Sequence, residues 1–264
     1  MKITVFTSNQ PRHLSLVKKL SQLGGTVYAI QECNTVFPGK IKDFFNNSEV
    51  MQQYFSKVME AEKKIFGNVG FLPENVRQLA LKSGDISYMD MSTLKPALDS
   101  DIYIVFGASF IRGELIDFLI DKKAVNIHMG VSPYYRGSSC NFWAPYDGRP
   151  ELIGATVHLL SKGLDSGPML YHALPAPIEL DCFTLGMKAV EVAHDSLVSR
   201  IKSGELMSYD GVEQDKNLEM RYTRNIDFND DVAREYLGNM LTPKQVYNLL
   251  ANRDMSMFTN PFLS

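Results

Sequence analysis

An amide, an imidazole and a carboxylate carry the clearest chemical signal in the chain: Asn126 and His128 within Asn126-Ile127-His128, and Asp165 within Leu164-Asp165-Ser166-Gly167. Asn126 and His128 are two residues apart, so on an extended strand they point to the same side. A trio of this kind suits transfer of an acyl group to an amine. An Asn126 N–H can bond the oxygen that gains charge as the carbonyl becomes tetrahedral, a role worth about 3 kcal/mol for one preorganised donor. His128 can act as a second donor when protonated or take a proton from the amine when neutral, and the sequence leaves both roles open. Asp165 can orient the imidazole and hold its charge. Taken singly, each residue also has a plain structural reading: a strand-end turn former, a satisfied polar residue under a loop, and a turn residue ahead of Gly167.

The elements that must position these groups are readable in outline. Lys2 to Thr7 is an apolar, β-branched run. Leu14, Val17, Leu20 and Leu23 then recur at helical spacing until Gly24-Gly25, and Thr26 to Ile30 reads as a second strand. This order predicts a parallel sheet with right-handed crossovers, an α/β doubly wound fold with a mostly parallel sheet. Two helices are expected at Glu49 to Phe66 and Pro73 to Lys82, the first with Met51, Tyr54, Phe55, Val58, Met59, Ala61, Ile65 and Phe66 on or near its packed face. Further strands are expected at Asp101 to Phe106, Ala124 to Ile127, Ile153 to Leu160 and Met169 to Leu174, with helices at Glu114 to Ile120, Thr184 to Ile201 and Thr242 to Ala251. The periodic signal weakens after Gly204, which divides the chain into residues 1–204, carrying the Asn126, His128 and Asp165 trio, and an acidic, helix-like extension over 205–264.

Bulk properties exclude some classes. With 264 residues, 45% hydrophobic, and a net charge of −3, the chain can bury a core and has no overall pull toward a polyanion. No long Lys/Arg run marks a nucleic-acid arm, and no apolar run is long enough for a signal peptide or membrane span, so a cytoplasmic protein without nucleic-acid or membrane partners is expected. Cys33, Cys140 and Cys182 lack paired metal or redox spacing, and a zinc site from His128, His158 and His172 has no spacing support. The first strand-to-helix turn lacks the glycine-rich dinucleotide fingerprint. Its residues Ser8, Asn9, Arg12 and His13 stand where a helix N-terminus favours an anion, making them candidate substrate-binding residues beside the alternative of ordinary capping. Tyr134, Tyr135 and Arg136, after the Asn126/His128 strand, suit stacking on a base or sugar and binding a phosphate, or else bracing their loop.

The runs NIHMGVSPYYRGSS and GATVHLLSKGLDSGPMLYHALP resemble the formyltransferase family that uses 10-formyltetrahydrofolate, and the resemblance covers roughly residues 1 to 205. It implies a formyltransferase-like Rossmann variant in which Asn126, His128 and Asp165 form the catalytic trio. It also implies that Phe106, Gly107, Ala108, Phe110, Ile111, Arg112, Leu115 and Gly163 grip the folate donor, with no metal in the reaction. The first loop departs from the glycinamide ribonucleotide enzymes of that family, whose loop is glycine-rich. Methionyl-tRNA formyltransferases of that family carry a further β-barrel domain and a basic face suited to tRNA, whereas the sixty or so residues after the core here read as acidic and helix-like. The insert between Asn34 and Gly84, the aromatic loop and the short extension look more like the sugar-nucleotide N-formyltransferases. The resemblance therefore implies a nucleotide-linked amino sugar as acceptor, in surface polysaccharide precursor synthesis, and a homodimer contacting through the extension. Methionyl-tRNA or glycinamide ribonucleotide as acceptor, a noncatalytic folate or nucleotide-sugar binding module, and a formate-releasing hydrolase are the alternatives.

Overall fold

The computed structural model describes residues 1–33 and 48–264. In chain order its principal elements are β1 (Lys2–Ser8), α1 (Pro11–Ser21), β2 (Thr26–Cys33), α2 (Glu49–Phe66), β3 (Val76–Lys82), α3 (Met91–Leu98), β4 (Ile102–Phe106), α4 (Gly113–Asp121) and β5 (Val125–His128). There follow β6 (Tyr135–Gly137), α5 (Cys140–Tyr146), β7 (Ala155–Leu159), β8 (Met169–Leu174), α6 (Cys182–Ser203), β9 (Arg221–Thr223), α7 (Asp230–Gly238), α8 (Pro243–Ala251) and β10 (Phe262–Leu263).

An eight-stranded sheet in the order β10-β8-β7-β5-β4-β1-β2-β3 forms the centre. Pairing is parallel from β3 through β5, antiparallel on both sides of β7, and parallel again between β8 and β10. The mostly parallel, doubly wound architecture expected from the sequence is therefore present. Its inner strands are covered on both faces: six of the seven residues of β1 and all six of β8 are buried. On one face, Leu16, Val17 and Leu20 of α1 pack with Val190, Ala193, Leu197 and Ile201 of α6. On the other, Leu94 of α3 and Leu115 and Leu119 of α4 pack under Phe6 and Val105.

Helix ends follow local chemistry. Asp181 accepts hydrogen bonds from the Phe183 and Thr184 backbone to start α6, and Gly204 in the left-handed region, φ +78°, ends it. Thr242 and Gln245 form a capping box ahead of α8.

Two readings need correction. Pro73 to Lys82 is not helical: Val76–Lys82 pairs in parallel with β2, from Val27 opposite Val76 to Cys33 opposite Lys82. Val76, Leu79 and Leu81 are half-buried on this edge strand, so pairing with an open sheet edge outweighs the helix propensity of Leu, Ala, Gln and Lys. Met59, placed on the packed face of α2, is 51% exposed, while Glu62 is buried there and bonds Arg12 at 2.8 Å. Of the insert beginning at Asn34, residues 34–47 lie outside the described residues.

The last sixty or so residues are joined to the sheet. Val212 bridges Met169, β10 adds to β8, and the Arg253 guanidinium donates to the Glu151 and Pro175 carbonyls at 2.8 and 2.9 Å.

Candidate functional site

β5 sits between β4 and β7, and its end carries Asn126 and His128 toward the loop that follows β7. That loop returns over the strand because Leu160 donates to the Ala124 carbonyl and Gly167 lies against the Leu159 carbonyl, where any Cβ would clash. Asp165 adopts a left-handed conformation, φ +46°, which Asp tolerates better than most residues. Its carboxylate spans the two strand residues: Oδ1 accepts from Asn126 Nδ2 at 3.1 Å, and Oδ2 faces His128 Nδ1 at 3.2 Å. The three groups singled out in the sequence are thus brought into one hydrogen-bonded cluster.

A fourth member, His158 on β7, was read from the sequence only as a strand histidine. It stands opposite Asn126 in the β5–β7 register, and its Nε2 is 2.9 Å from Asn126 Nδ2. Its Nδ1 lies 2.8 Å from the Leu159 carbonyl oxygen, a contact that calls for an N–H. That tautomer leaves Nε2 as the acceptor for the amide. Both Asn126 amide hydrogens are therefore engaged, one by Asp165 and one by His158. Reversing the amide would set its oxygen against the Asp165 carboxylate, so the orientation is fixed by its partners. An incoming oxygen can draw an Asn126 N–H only by displacing one of these contacts, and an imidazole nitrogen is a weaker acceptor than a carboxylate oxygen.

Burial opposes charge on His128, but the Asp165 carboxylate and the Cys140 sulfur outweigh it and hold the imidazole pKa well above its ordinary value of 6.5. Burial alone would push the Asp165 carboxyl upward; the His128 imidazolium, by its charge and its hydrogen bond, draws it far below the usual carboxylate range. The pair thus favours an imidazolium and a carboxylate at neutral pH. Of the two roles left open for His128, the charged donor fits this arrangement.

A narrow cleft opens beside the cluster, walled by Ala108, Phe110, Ile111 and Gly163, with Asn126, His158 and Asp165 at its polar end. Val105, Ser109, Ile116, Leu160, Ser161 and Leu164 complete it. Four other expected donor-binding residues lie elsewhere. Phe106 is packed between His13 and His194, Leu115 is in the core, Arg112 lies over the Phe110 ring, and Gly107 makes the turn at φ +67°. A side chain at Gly107 would run into His13.

The loop over this cleft is held by Glu32, a residue the sequence reading passed over. Its buried carboxylate accepts from the Ser109 N–H at 2.6 Å, the Ser109 hydroxyl at 2.8 Å and the Gly84 N–H at 2.8 Å. An acid at the end of an apolar strand is the signal that pointed to it, since a buried carboxylate needs several donors.

A second cavity of about 310 Å³ lies beside Met129 and Asn141, the neighbours of His128 and Cys140. Tyr54, Phe142, Phe183 and Tyr236 give it aromatic walls and Arg12 a cationic edge. The other expected acceptor-binding residues do not line it. The Ser8 hydroxyl bonds the Glu32 carbonyl, and His13 is buried, its pKa lowered to about 3 by burial and by Arg12. Asn9 is exposed beyond β1. Tyr134 and Tyr135 are buried with their hydroxyls on the Met257 carbonyl and Asp147, and Arg136 bonds Glu219 at 2.9 Å. All three thus make contacts that hold their own loop in place.

An open, mostly parallel sheet bearing this cluster defines a formyltransferase-like variant of the Rossmann class. The chain belongs to the Formyl transferase family, whose model matches residues 1–201. It is 32% identical over 107 residues to a methionyl-tRNA formyltransferase of Thermosynechococcus vestitus (strain NIES-2133 / IAM M-273 / BP-1), covering 40% of this chain and 32% of that protein. Its match thus spans about a third of that relative's length. Among solved structures it is similar to a sugar N-formyltransferase from Shewanella sp FDAARGOS_354, with a TM-score of 0.50 and 15% identity over 100% of this chain and 92% of that one. It is also similar to a phosphoribosylglycinamide formyltransferase from Anaplasma phagocytophilum, with a TM-score of 0.50 and 18% identity over 85% and 98% of the two chains.

Among the described residues no helix is long and apolar enough to cross a membrane, and no group of three or more His, Cys, Asp or Glu side chains is arranged to hold a metal ion.

Proposed function

We propose that this protein transfers a formyl group from 10-formyltetrahydrofolate to the amine of a nucleotide-linked amino sugar. The observation that carries the reading is the Asn126–His128–Asp165 cluster, whose Asn126 and Asp165 line a narrow cleft suited to the donor, with Met129, the residue after His128, lining an aromatic-walled cavity suited to the acceptor. Small apolar side chains and loop backbone suit a flat heteroaromatic ring, so Ala108, Phe110, Ile111 and Gly163 would hold the folate. The folate supplies an activated formyl group. The remaining chemistry belongs to the chain.

His128, held charged by Asp165, offers a proton to the oxygen or nitrogen that gains electron density. Asn126 adds an N–H once an incoming oxygen displaces His158. Asp165 holds the imidazolium against the cost of burial and, through water, can receive the proton that the amine gives up. In the second cavity, ring faces of Tyr54, Phe142 and Tyr236 suit the C–H faces of a sugar or a stacked base, and Arg12, paired with Glu62 through one guanidinium nitrogen, has further N–H groups that suit an anionic group.

A net charge of −3 supports a small acceptor over tRNA, because polyanion binding draws on clustered cations. The test is a transfer assay with 10-formyltetrahydrofolate and separate acceptors: dTDP-, GDP- and UDP-linked amino sugars, methionyl-tRNA and glycinamide ribonucleotide. A formyl group added to an amino sugar supports the reading. Formylation of tRNA or glycinamide ribonucleotide alone overturns the acceptor, and formate release with no acceptor added points to hydrolysis.

A further inference from the structure

Cys140 opens α5 with its sulfur 3.5 Å from His128 Nε2 and 3.5 Å from the Gly137 carbonyl oxygen. Only 1% of the residue is exposed. The backbone closes tightly over this contact: a Cβ at Gly130 would collide with Cys140 Cβ and stand 2.8 Å from His128 Nε2. Glycine is what allows the exit of β5 to lie there.

His128 Nδ1 is committed to Asp165, so Nε2 is where the proton count of the ring changes. With Nε2 protonated, the ring donates to the sulfur while the thiol S–H donates to the Gly137 carbonyl. With Nε2 bare, the S–H can turn about its C–S bond and donate to the ring. Both protonation states keep a full set of partners, and an incoming substrate atom takes the Nε2 proton by displacing the sulfur contact, as it displaces His158 from Asn126. The groups that face this histidine are Asp165 from the loop after β7, His158 on β7 through the same carboxylate, and Cys140 from α5.

We propose that Cys140 is a positioning residue for His128, its S–H turning between the Gly137 carbonyl and Nε2 so that the imidazole can give up and regain a proton in place. This rests on reading His128 as the proton-bearing group of formyl transfer. It adds a thiol on α5 to the Asn126–His128–Asp165 cluster.

The test reads His128 itself, by NMR titration of the imidazole in the full chain with no substrate present. A charge-assisted contact is stronger than the neutral one, so Cys140→Ala should lower the His128 midpoint by about one pH unit, and Cys140→Ser, which keeps a donor and an acceptor, should restore most of it. In the transfer assay Cys140→Ala should shift the alkaline limb of kcat downward and leave the KM for the donor unchanged. In the wild-type protein, the infrared S–H band assigned by difference from Cys140→Ser should move as His128 titrates. An unchanged midpoint in Cys140→Ala, or a fixed S–H band across the titration, overturns the proposal. A wild-type protein that transfers no formyl group while its His128 midpoint still responds to Cys140 overturns the reaction instead.

Discussion

The chemistry proposed for this protein is concentrated in a few polar contacts on otherwise apolar strands, so substitutions there should separate catalysis from binding. His128→Ala removes the charged donor and is expected to lower kcat by about 10²–10⁴, with the KM for the donor nearly unchanged. Steady-state kinetics checks this, and a parallel loss of folate affinity would assign His128 to recognition. The pH dependence has a definite sign. Because the folded state raises the His128 pKa above 6.5, the charged ring persists through neutral pH, and kcat should fall only on an alkaline limb well above that value. Asp165→Asn removes the main cause of the elevation and should move that limb down toward neutrality. The same pairing contributes stability that is fully present below the unfolded-state His pKa and is lost as pH rises through the folded value. For Asp165, whose pKa is lowered, the contribution is present above the ordinary carboxylate value of 3.8 and lost as pH falls through the folded one. At this scale much of the cluster was legible: a two-residue spacing on a strand and a turn-forming Asp. His158 was not, because its partnership depends on antiparallel register with β5, and Cys140 was not, because its sulfur reaches His128 only when α5 folds back.

Elements position these groups through a small number of ties that local sequence patterns do not display. Glu32, at the end of β2, gathers the backbone of the turn at Gly84 and the donor-cleft loop at Ser109 onto one carboxylate. Glu32→Ala should therefore raise the KM for the folate donor more than it lowers kcat, and destabilise the fold by about 1–3 kcal/mol as buried donors lose their acceptor. Donor titration and denaturant unfolding measure the two effects, and an unchanged donor KM would mean that the loop holds its shape without Glu32. Strong periodicity made α1, α2 and α6 readable, since each shows an apolar stripe between recognisable ends. β3 was misread because its residues favour a helix in isolation and become a strand only beside β2. α7 was passed over as a charged stretch, although Asn229 followed by Asp230 and Asp231 is a capped, acidic first turn.

Across the whole molecule, the segment after Gly204 is tied to the sheet at several points. Arg253, with its guanidinium on two carbonyls and over the Phe258 ring, links the tail to the residues ahead of β7 and after β8. Burial lowers its pKa to about 10, against the raising effect of the nearby Glu151 carboxylate. Arg253→Ala is expected to cost about 2–3 kcal/mol by leaving buried acceptors unpaired, seen as a lower denaturant midpoint. Turnover of the folded fraction at low temperature should be unchanged, because Arg253 touches neither cavity. The doubly wound order could be anticipated from alternating strands and helices; the reversed β7 and the return of β10 could not, since both depend on long-range pairing.

The central claim is that Asn126, His128 and Asp165 move a formyl group to an amino sugar. Its most direct test is single-turnover mass spectrometry of 10-formyltetrahydrofolate and the amino-sugar nucleotides with wild-type and His128→Ala proteins at matched, saturating donor. The expected result is one added formyl group on the sugar with the wild type, formed at least a hundredfold more slowly by the variant at equal donor occupancy. Equal rates from the two proteins would contradict the account.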